Sequence, residues 1–312
     1  MVYHPGDARS ALRTAPTASP STGTDSPRQA AEADYVRFYE LPPTTRDDNA
    51  HTWYARSQHL VTGYTQITGE TVLEHPGGPD EHALLLPEDT VGATIESGGE
   101  STEVSGHTLT FMPPGPATLT LRGTGRAVTI ATTRSEALAA RAANAGSYEQ
   151  PHPHVAPLIP WPEPAGGYRV RTYRLDVPSL ENPPFRIFRC SSFMVNAPRP
   201  RTGPRDTTKM SPHSHDDFEQ CSLIIDGEFV HHLRWPWTTD LGQWREDDHE
   251  HCGAPSLTVI PPPVVHTSQA MGKETNHLID LFAPPRRDFS LMAGWVLNAD
   301  EYPMPDDPEP AR

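Results

Sequence analysis

The feature that most restricts this chain is the brevity of its apolar runs. They last roughly four to eight residues and end, over and over, at proline, glycine, aspartate or asparagine, in a sequence carrying 36 prolines and 22 glycines. Runs of that length suit strands, whereas a helix of a soluble protein needs a longer apolar stripe. ALLLP (83–87), VGATIE (91–96), HTLTFM (107–112), ATLTLR (117–122) and AVTIAT (127–132) form one series, punctuated by turn residues such as Pro113-Pro114-Gly115 and Gly123-Thr124-Gly125. A second series follows at 168–175, 185–195, 219–225, 228–235, 256–260 and 277–282. The expectation is an all-β chain containing two copies of one architecture.

At 312 residues the chain can build two cores. Residues 1–33 are dominated by Ala, Ser, Thr and Pro and cannot bury enough apolar surface to offset ordering, so a disordered tail, or an arm laid over a neighbour, is expected there. The first unit is expected over 34–134. An Ala-rich helix at 135–146, ending at Gly146, opens a Pro-rich linker that runs to 166. The second unit spans 167–290, and 291–312 forms a C-terminal tail.

Charge narrows the function. With 25 basic against 40 acidic residues, a net charge of −15 opposes a phosphate-tracking surface, so nucleic acid is excluded as an expected partner. Three scattered cysteines, Cys190, Cys221 and Cys252, make no disulfide framework and read as small buried hydrophobes. No run approaches the length of a membrane span, and no secretory signal is evident, so a cytoplasmic protein without a membrane partner is expected.

The chemistry concentrates between Pro212 and Gly227. In an extended segment alternate side chains share a face, so His213 and His215 can reach one ion together. On the strand that follows, Gln220, Ser222 and Ile224 share one face and Glu219, Cys221 and Leu223 the other; only one of Glu219 and Gln220 can point inward. A third histidine, His266, follows the rigid turn Pro261-Pro262-Pro263.

These segments resemble the cupin superfamily, whose first motif is His-x-His, three or four residues, Glu, six residues, Gly, and whose second is Pro-x-Gly-x-x-His. The first appears as His213-x-His215 closing at Gly227; the second as Pro261-x-Pro263-x-x-His266, with proline where the family prefers glycine. Four residues after His215 and six before Gly227 select Gln220, while Glu219 satisfies the shorter spacing. The resemblance implies two jelly-roll barrels in tandem, with one divalent ion per chain held by His213, His215, His266 and Gln220, Glu219 remaining the alternative ligand. Iron is the first choice; nickel, manganese, copper and zinc are alternatives, since these ligand types do not choose among them. The N-terminal half keeps only a relic of the second motif, Pro113-x-Gly115-x-x-Thr118, with no His-x-His and only His82 nearby; a degenerate barrel without ligands is expected there.

Neutral donors leave the ion's charge uncompensated and two positions open, which suits a small chelating substrate. The ion could polarise vicinal oxygens as a Lewis acid, or hold substrate beside dioxygen. The resemblance therefore implies an oxygenase first, with an isomerase or lyase on a small polar or sugar-like substrate, or a non-catalytic binding barrel, as alternatives. Glu219 and His231 are the candidate catalytic bases, with His232 and His277 also within consideration. Small-molecule substrate, with or without dioxygen, is the expected partner, and a homodimer the assembly to test. Weaker features are Trp235, Trp237 and Trp244, readable as a lid or as a self-packed loop; His249, His251 and Cys252, readable as a second metal site or as surface; and a basic run at Arg199, Arg201, Arg205 and Lys209, readable as steering for an anion or as a solvated loop.

Overall fold

The computed structural model describes residues 29–177 and 185–306. The tail expected over 1–28 and the last residues, 307–312, lie outside it. The first half of the chain runs β1 (Asp34–Arg37), β2 (Thr45–Arg46), β3 (Ala50–Arg56), β4 (Leu60–His75), β5 (His82–Leu86), β6 (Val91–Ser97), β7 (Glu100–Val104), β8 (Thr108–Met112), β9 (Ala117–Thr132) and the single-turn α1 (Glu136–Ala139). The second half runs β10 (Arg171–Arg174), β11 (Ile187–Arg189), β12 (Met194–Asn196), β13 (Arg201–Thr202), β14 (Gln220–Asp226), β15 (Glu228–Arg234), β16 (Asp248–Gly253), β17 (Ser256–Ile260), β18 (Val265–Ala270), β19 (Thr275–Phe282) and α2 (Arg287–Leu291).

Among the described residues these strands form a nine-stranded sheet along β10-β8-β5-β9-β4-β3-β2, a seven-stranded sheet along β1-β17-β14-β19-β12-β11, and a three-stranded sheet β16-β15-β18. Each large sheet takes its edge strand from the other half of the chain. β1 pairs with β17 (Asp34↔Val259 to Arg37↔Ser256), and β10 pairs with β8 (Arg171↔Phe111 to Arg174↔Thr108). The strands that open the two expected units are thus exchanged, which blunts two exposed edges at once.

Sheet alternation then sorts the side chains. Leu85, Phe111, Val128 and Ile130 from the first half meet Leu223, Leu257, Val259 and Leu281 from the second in one core lying between the two barrels. The opposite face of the first sheet closes over Ile67, Leu84, Leu86, Ile95, Leu119 and Leu121, an aliphatic filling for the N-terminal barrel. The C-terminal lumen has no equivalent plug: its apolar contacts are split between small clusters around Leu233, Ile260 and Val264 and around Ile224, Phe229 and Ala270.

Two expectations are corrected, and the packing of a third segment is defined. The helix over 135–146 is reduced to Glu136–Ala139 and a 3-10 turn at Ala145–Tyr148, because Leu138 and Ala139 pack on Tyr54, Val61 and Ala131 and the Ala143 N–H donates to Tyr54 O (2.8 Å) rather than continuing a helical ladder. Residues 29–33, expected within the tail, pack: Ala30 is buried against Leu233 and Trp235, and Arg245 Nη2 donates to its carbonyl. In the insertion after β15, left open as lid or self-packed loop, Trp235 is buried on Ala30, Leu233 and Val264, while the exposed Trp237 and Trp244 stack on each other at 4.2 Å.

Because one core spans both barrels, the two halves should unfold together. Leu223→Ala, at a fully buried position of that core, is expected to lower stability by about 2–5 kcal/mol in a single urea transition reported equally by tryptophan fluorescence and far-ultraviolet circular dichroism; two separated transitions would contradict a shared core.

Candidate metal centre

The first motif lies where β14 begins. The segment ahead of it is extended, and His213 forms a two-bond bridge to His266 at the start of β18 (His213 N to His266 O 3.0 Å, His266 N to His213 O 2.7 Å). Backbone pairing therefore brings the two motifs together directly. At the other end of β14, Gly227 takes φ +80°, and a Cβ there would meet Thr275 O and Asn276 Oδ1 at 2.5 Å; the glycine of the motif is a turn requirement.

The ligand atoms of His213, His215 and His266 lie within 4.8 Å of one another, with His215 and His266 buried and His213 half-buried. Gln220 Oε1 sits 3.0 Å from His215 Nε2 and 3.2 Å from His266 Nε2. A bond of about 2.1 Å to a divalent ion would separate neighbouring donors of an octahedron by about 3.0 Å, so the Gln220 oxygen has the spacing of a ligand beside His215 and His266. The protein also fixes the tautomers. Nδ1–H of His213 donates to Ser211 O (3.0 Å) and Nδ1–H of His266 to Val264 O (2.9 Å), leaving each Nε2 lone pair for the centre. His215 is stacked on Phe218 at 4.3 Å, and burial drives its pKa well below the usual imidazole range, which keeps it neutral.

Gln220 is held in turn. Its Nε2 donates to Ser222 Oγ (3.0 Å) and Asp280 Oδ1 (3.1 Å), and Ser222 Oγ donates to the same carboxylate oxygen (2.9 Å). An acceptor-only carboxylate behind the amide forces nitrogen outward and oxygen inward. Ser222 and Asp280 are cross-strand partners on β14 and β19. Sequence reading missed Asp280, although a lone acid in the apolar run of 277–282 is itself a signal.

Glu219 is corrected. It leaves the opposite face of the chain, is 4% exposed, and accepts from the Gln58 N–H (2.6 Å) and His152 Nδ1 (2.7 Å), so it cannot act as a base in the lumen. Burial alone would lower the His152 pKa, but the Glu219 carboxylate outweighs it and the net shift is upward. His231 does enter the lumen. It shares the buried face of β15 with Phe229 and Leu233, Leu233 lies opposite His266, and Phe229 packs on Ile224. Its Nδ1 meets Ser268 Oγ at 2.9 Å while Nε2 has no partner, and burial pushes its pKa down to about 3. His232 instead pairs with His249 and Gln269, and His277 contacts Pro198 O. His251 pairs with Glu228 on the exposed side of β16 while Cys252 is buried on the other, so His249, His251 and Cys252 do not assemble. In the basic run, Arg205 is tied to Ser268 O, Lys209 O and Ser211 Oγ.

The N-terminal barrel differs at the same place. Thr118, expected at the second-motif position, turns outward and donates to Glu74 (2.9 Å), while Ala117 faces in opposite His75. His75, unnoticed in the sequence, stacks on His82 with ring centroids 4.0 Å apart and planes within 5°. A metal lies close to the plane of each imidazole that binds it, so two rings stacked in this way cannot share one ion.

No family model and no curated protein matches the sequence. Solved structures do. An oxalate decarboxylase structure described for its substrate binding mode matches at 13% identity and a TM-score of 0.53 over 82% of this chain and 78% of its own. An oxalate decarboxylase variant from Bacillus subtilis matches at 12% identity and a TM-score of 0.53 over the same shares. Protein Ylba from E. coli matches at 10% identity and a TM-score of 0.50 over 82% and 94%. The chain has the two-barrel cupin fold. At such identities the likeness concerns architecture, and the four converging donors of the C-terminal cupin barrel rest on this chain's own geometry. No helix is long and apolar enough to cross a membrane among the described residues.

Metal analysis by plasma emission on untagged protein is expected to give one divalent ion per chain, lost in His213→Ala and in His266→Ala with the fold retained. Gln220→Ala should weaken the ion more than Glu219→Ala, and Asp280→Asn should weaken it roughly 10–100-fold through Gln220. Glu219→Ala should instead cost about 1–3 kcal/mol of stability by orphaning buried donors. Full metal in the histidine variants, or a ratio of two per chain, would refute the assignment.

Proposed function

We propose that the C-terminal barrel is the active site of a metal-dependent enzyme that acts on a small, chelating, anionic organic substrate. The observation that carries this reading is the convergence of three neutral imidazoles and one neutral amide oxygen in the lumen, with the adjacent carboxylate Glu219 turned away. When bound, a divalent ion would supply an electrophilic centre of nearly undiminished charge. His213, His215, His266 and Gln220 would hold it; they fit it in donor type, and His213 and His266 also in tautomer. Asp280 and Ser222 orient Gln220, and Phe218, stacked on His215, backs that imidazole.

An oxygenase using dioxygen as co-substrate is the finer form of this proposal that the two-barrel resemblance first implied. A specific observation favours a second reading, a lyase or isomerase: the Nε2 of His231, without a partner among the described residues, gives the lumen a neutral group whose lowered pKa an anionic substrate would raise toward a proton-transfer role that needs no oxidant. The oxalate decarboxylase neighbours agree with lyase chemistry in name only, since identity near one residue in eight transfers fold and not substrate.

Turnover of small dicarboxylates, hydroxy acids and diketones by protein loaded in turn with iron, manganese, nickel, copper or zinc, followed with an oxygen electrode, separates the readings. Turnover equal in air and under nitrogen, reduced roughly 100-fold or more by His231→Gln with metal content unchanged, supports the lyase or isomerase. Strict dependence on oxygen uptake supports the oxygenase. Full metal occupancy with no turnover of any panel member would leave a binding barrel and sink the enzymatic reading.

A further inference from the structure

An open cavity of about 380 Å³, with Arg186 buried at its base and Asp176, Arg199 and Pro200 exposed at its rim, lies between the barrels and is lined by none of the metal-centre residues. His107, from the turn that enters β8, and Asp176, just after β10, face Arg186, just ahead of β11, and Arg199 and Pro200, just after β12. Arg186 is 3% exposed. Its backbone is satisfied, N–H by Asn196 Oδ1 and carbonyl by the Ala197 N–H, but its Nε has no partner and its guanidinium makes no hydrogen bond among the described residues. The one carboxylate in the wall among the described residues, Asp176, accepts from Nε and Nη2 of Arg174 at 3.1 and 3.0 Å. Among the described residues, two guanidinium groups therefore border a cavity whose one carboxylate hydrogen-bonds to Arg174 and reaches Arg186 only through space.

A buried charge without an acceptor is among the most costly features a fold can carry, and it persists where something compensates it. Arg186 has its donors in a fixed planar fork suited to two oxygens of one group. Opposite it, His107 is held at φ +56° by its own N–H to Glu88 O (3.1 Å) and by Nδ1–H to Pro87 O (3.0 Å). That is a conformation side chains seldom adopt, retained here in the wall of the cavity. We propose that this cavity is a binding site for a small oxyanion, the carboxylate or phosphate group of a small molecule, held by Arg186 and Arg199 at the junction of the two barrels. Burial, reinforced by Arg199, lowers the Arg186 pKa from its usual range, a strain that a bound anion would relieve. The site is independent of the metal-centre reading.

Calorimetric titration of the full-length, metal-loaded protein with sodium phosphate, and separately with sodium acetate, at ionic strength held constant with sodium chloride, tests this. Saturable binding of one anion per chain is expected, weakened roughly tenfold by Arg199→Gln and lost in Arg186→Met. The stronger of the two probes identifies the head group of the natural ligand. Arg186→Met should also melt no lower than the parent in chloride and should gain nothing from the anion, because an uncompensated buried charge has been removed. If Arg186→Met fails to fold, Arg199→Gln, at an exposed position, carries the test alone. No saturable binding above the chloride reference overturns the proposal. So does binding that survives both arginine variants, or that disappears in His266→Ala, which would locate the anion at the metal centre.

Discussion

Successive side chains of a strand leave opposite faces of the sheet, and in β14 that alternation decides both what holds the molecule together and what it can bind. Gln220, Ser222 and Ile224 enter the C-terminal lumen, while Cys221, Leu223 and Ile225 enter the core shared with the other barrel. A slip of one residue would bury an amide among aliphatics and place leucine among the imidazoles, so the register is fixed by the core and the donor set inherits it. Glu219 belongs to the same logic. Leaving from the other face, it reaches Gln58 and His152 of the linker side and ties the barrels together at the point where a base had been expected.

The two barrels divide their work by what fills them. Leu84, Leu86, Leu119 and Leu121 occupy the first lumen, and burying such side chains is worth roughly 1.5–3 kcal/mol each, so that barrel stabilises the pair. The second lumen holds histidine, glutamine, serine and aspartate at positions where aliphatics would stabilise more. Strand exchange through β1 and β10 lets the filled barrel support the polar one. The stacked His75 and His82 fit this division: burial lowers both pKa values, to about 4 for His75 and well below the usual range for His82, so they remain neutral packing groups.

Much of this was legible in the sequence because it depends on local periodicity. The strands, the two series and the spacing that singles out Gln220 follow from alternation and from turn residues. What was hidden depends on pairing between distant segments. Asp280 acts only because β19 lies beside β14, and neither strand announces the other. The outward turn of Thr118 was not visible in motif spacing, which ignores the pleat: with Ala117 inward opposite His75, the next side chain leaves the other face and meets Glu74. The helix at 135–146 failed because the propensity of alanine is a weak preference, and contacts with β3 and β9 outweigh it. His231 was preferred over His232 and His277 without a way to tell which faced inward, until the sheet β16-β15-β18 showed which face of β15 is buried.

The position of the carboxylates then bears on the charge of what the centre receives. Were Glu219 the inward residue, an ion would be partly neutralised by a direct ligand. Here the carboxylate that touches the donor set is Asp280, one hydrogen bond behind Gln220, where it polarises the amide and directs its oxygen while leaving the coordination sphere neutral. Charge separated from an ion by an intervening amide acts at roughly twice the distance of a ligand and is correspondingly weaker. On the proposed reading, a neutral donor set leaves an ion to take its compensating negative charge from the substrate, which is why that proposal calls for a chelating anion.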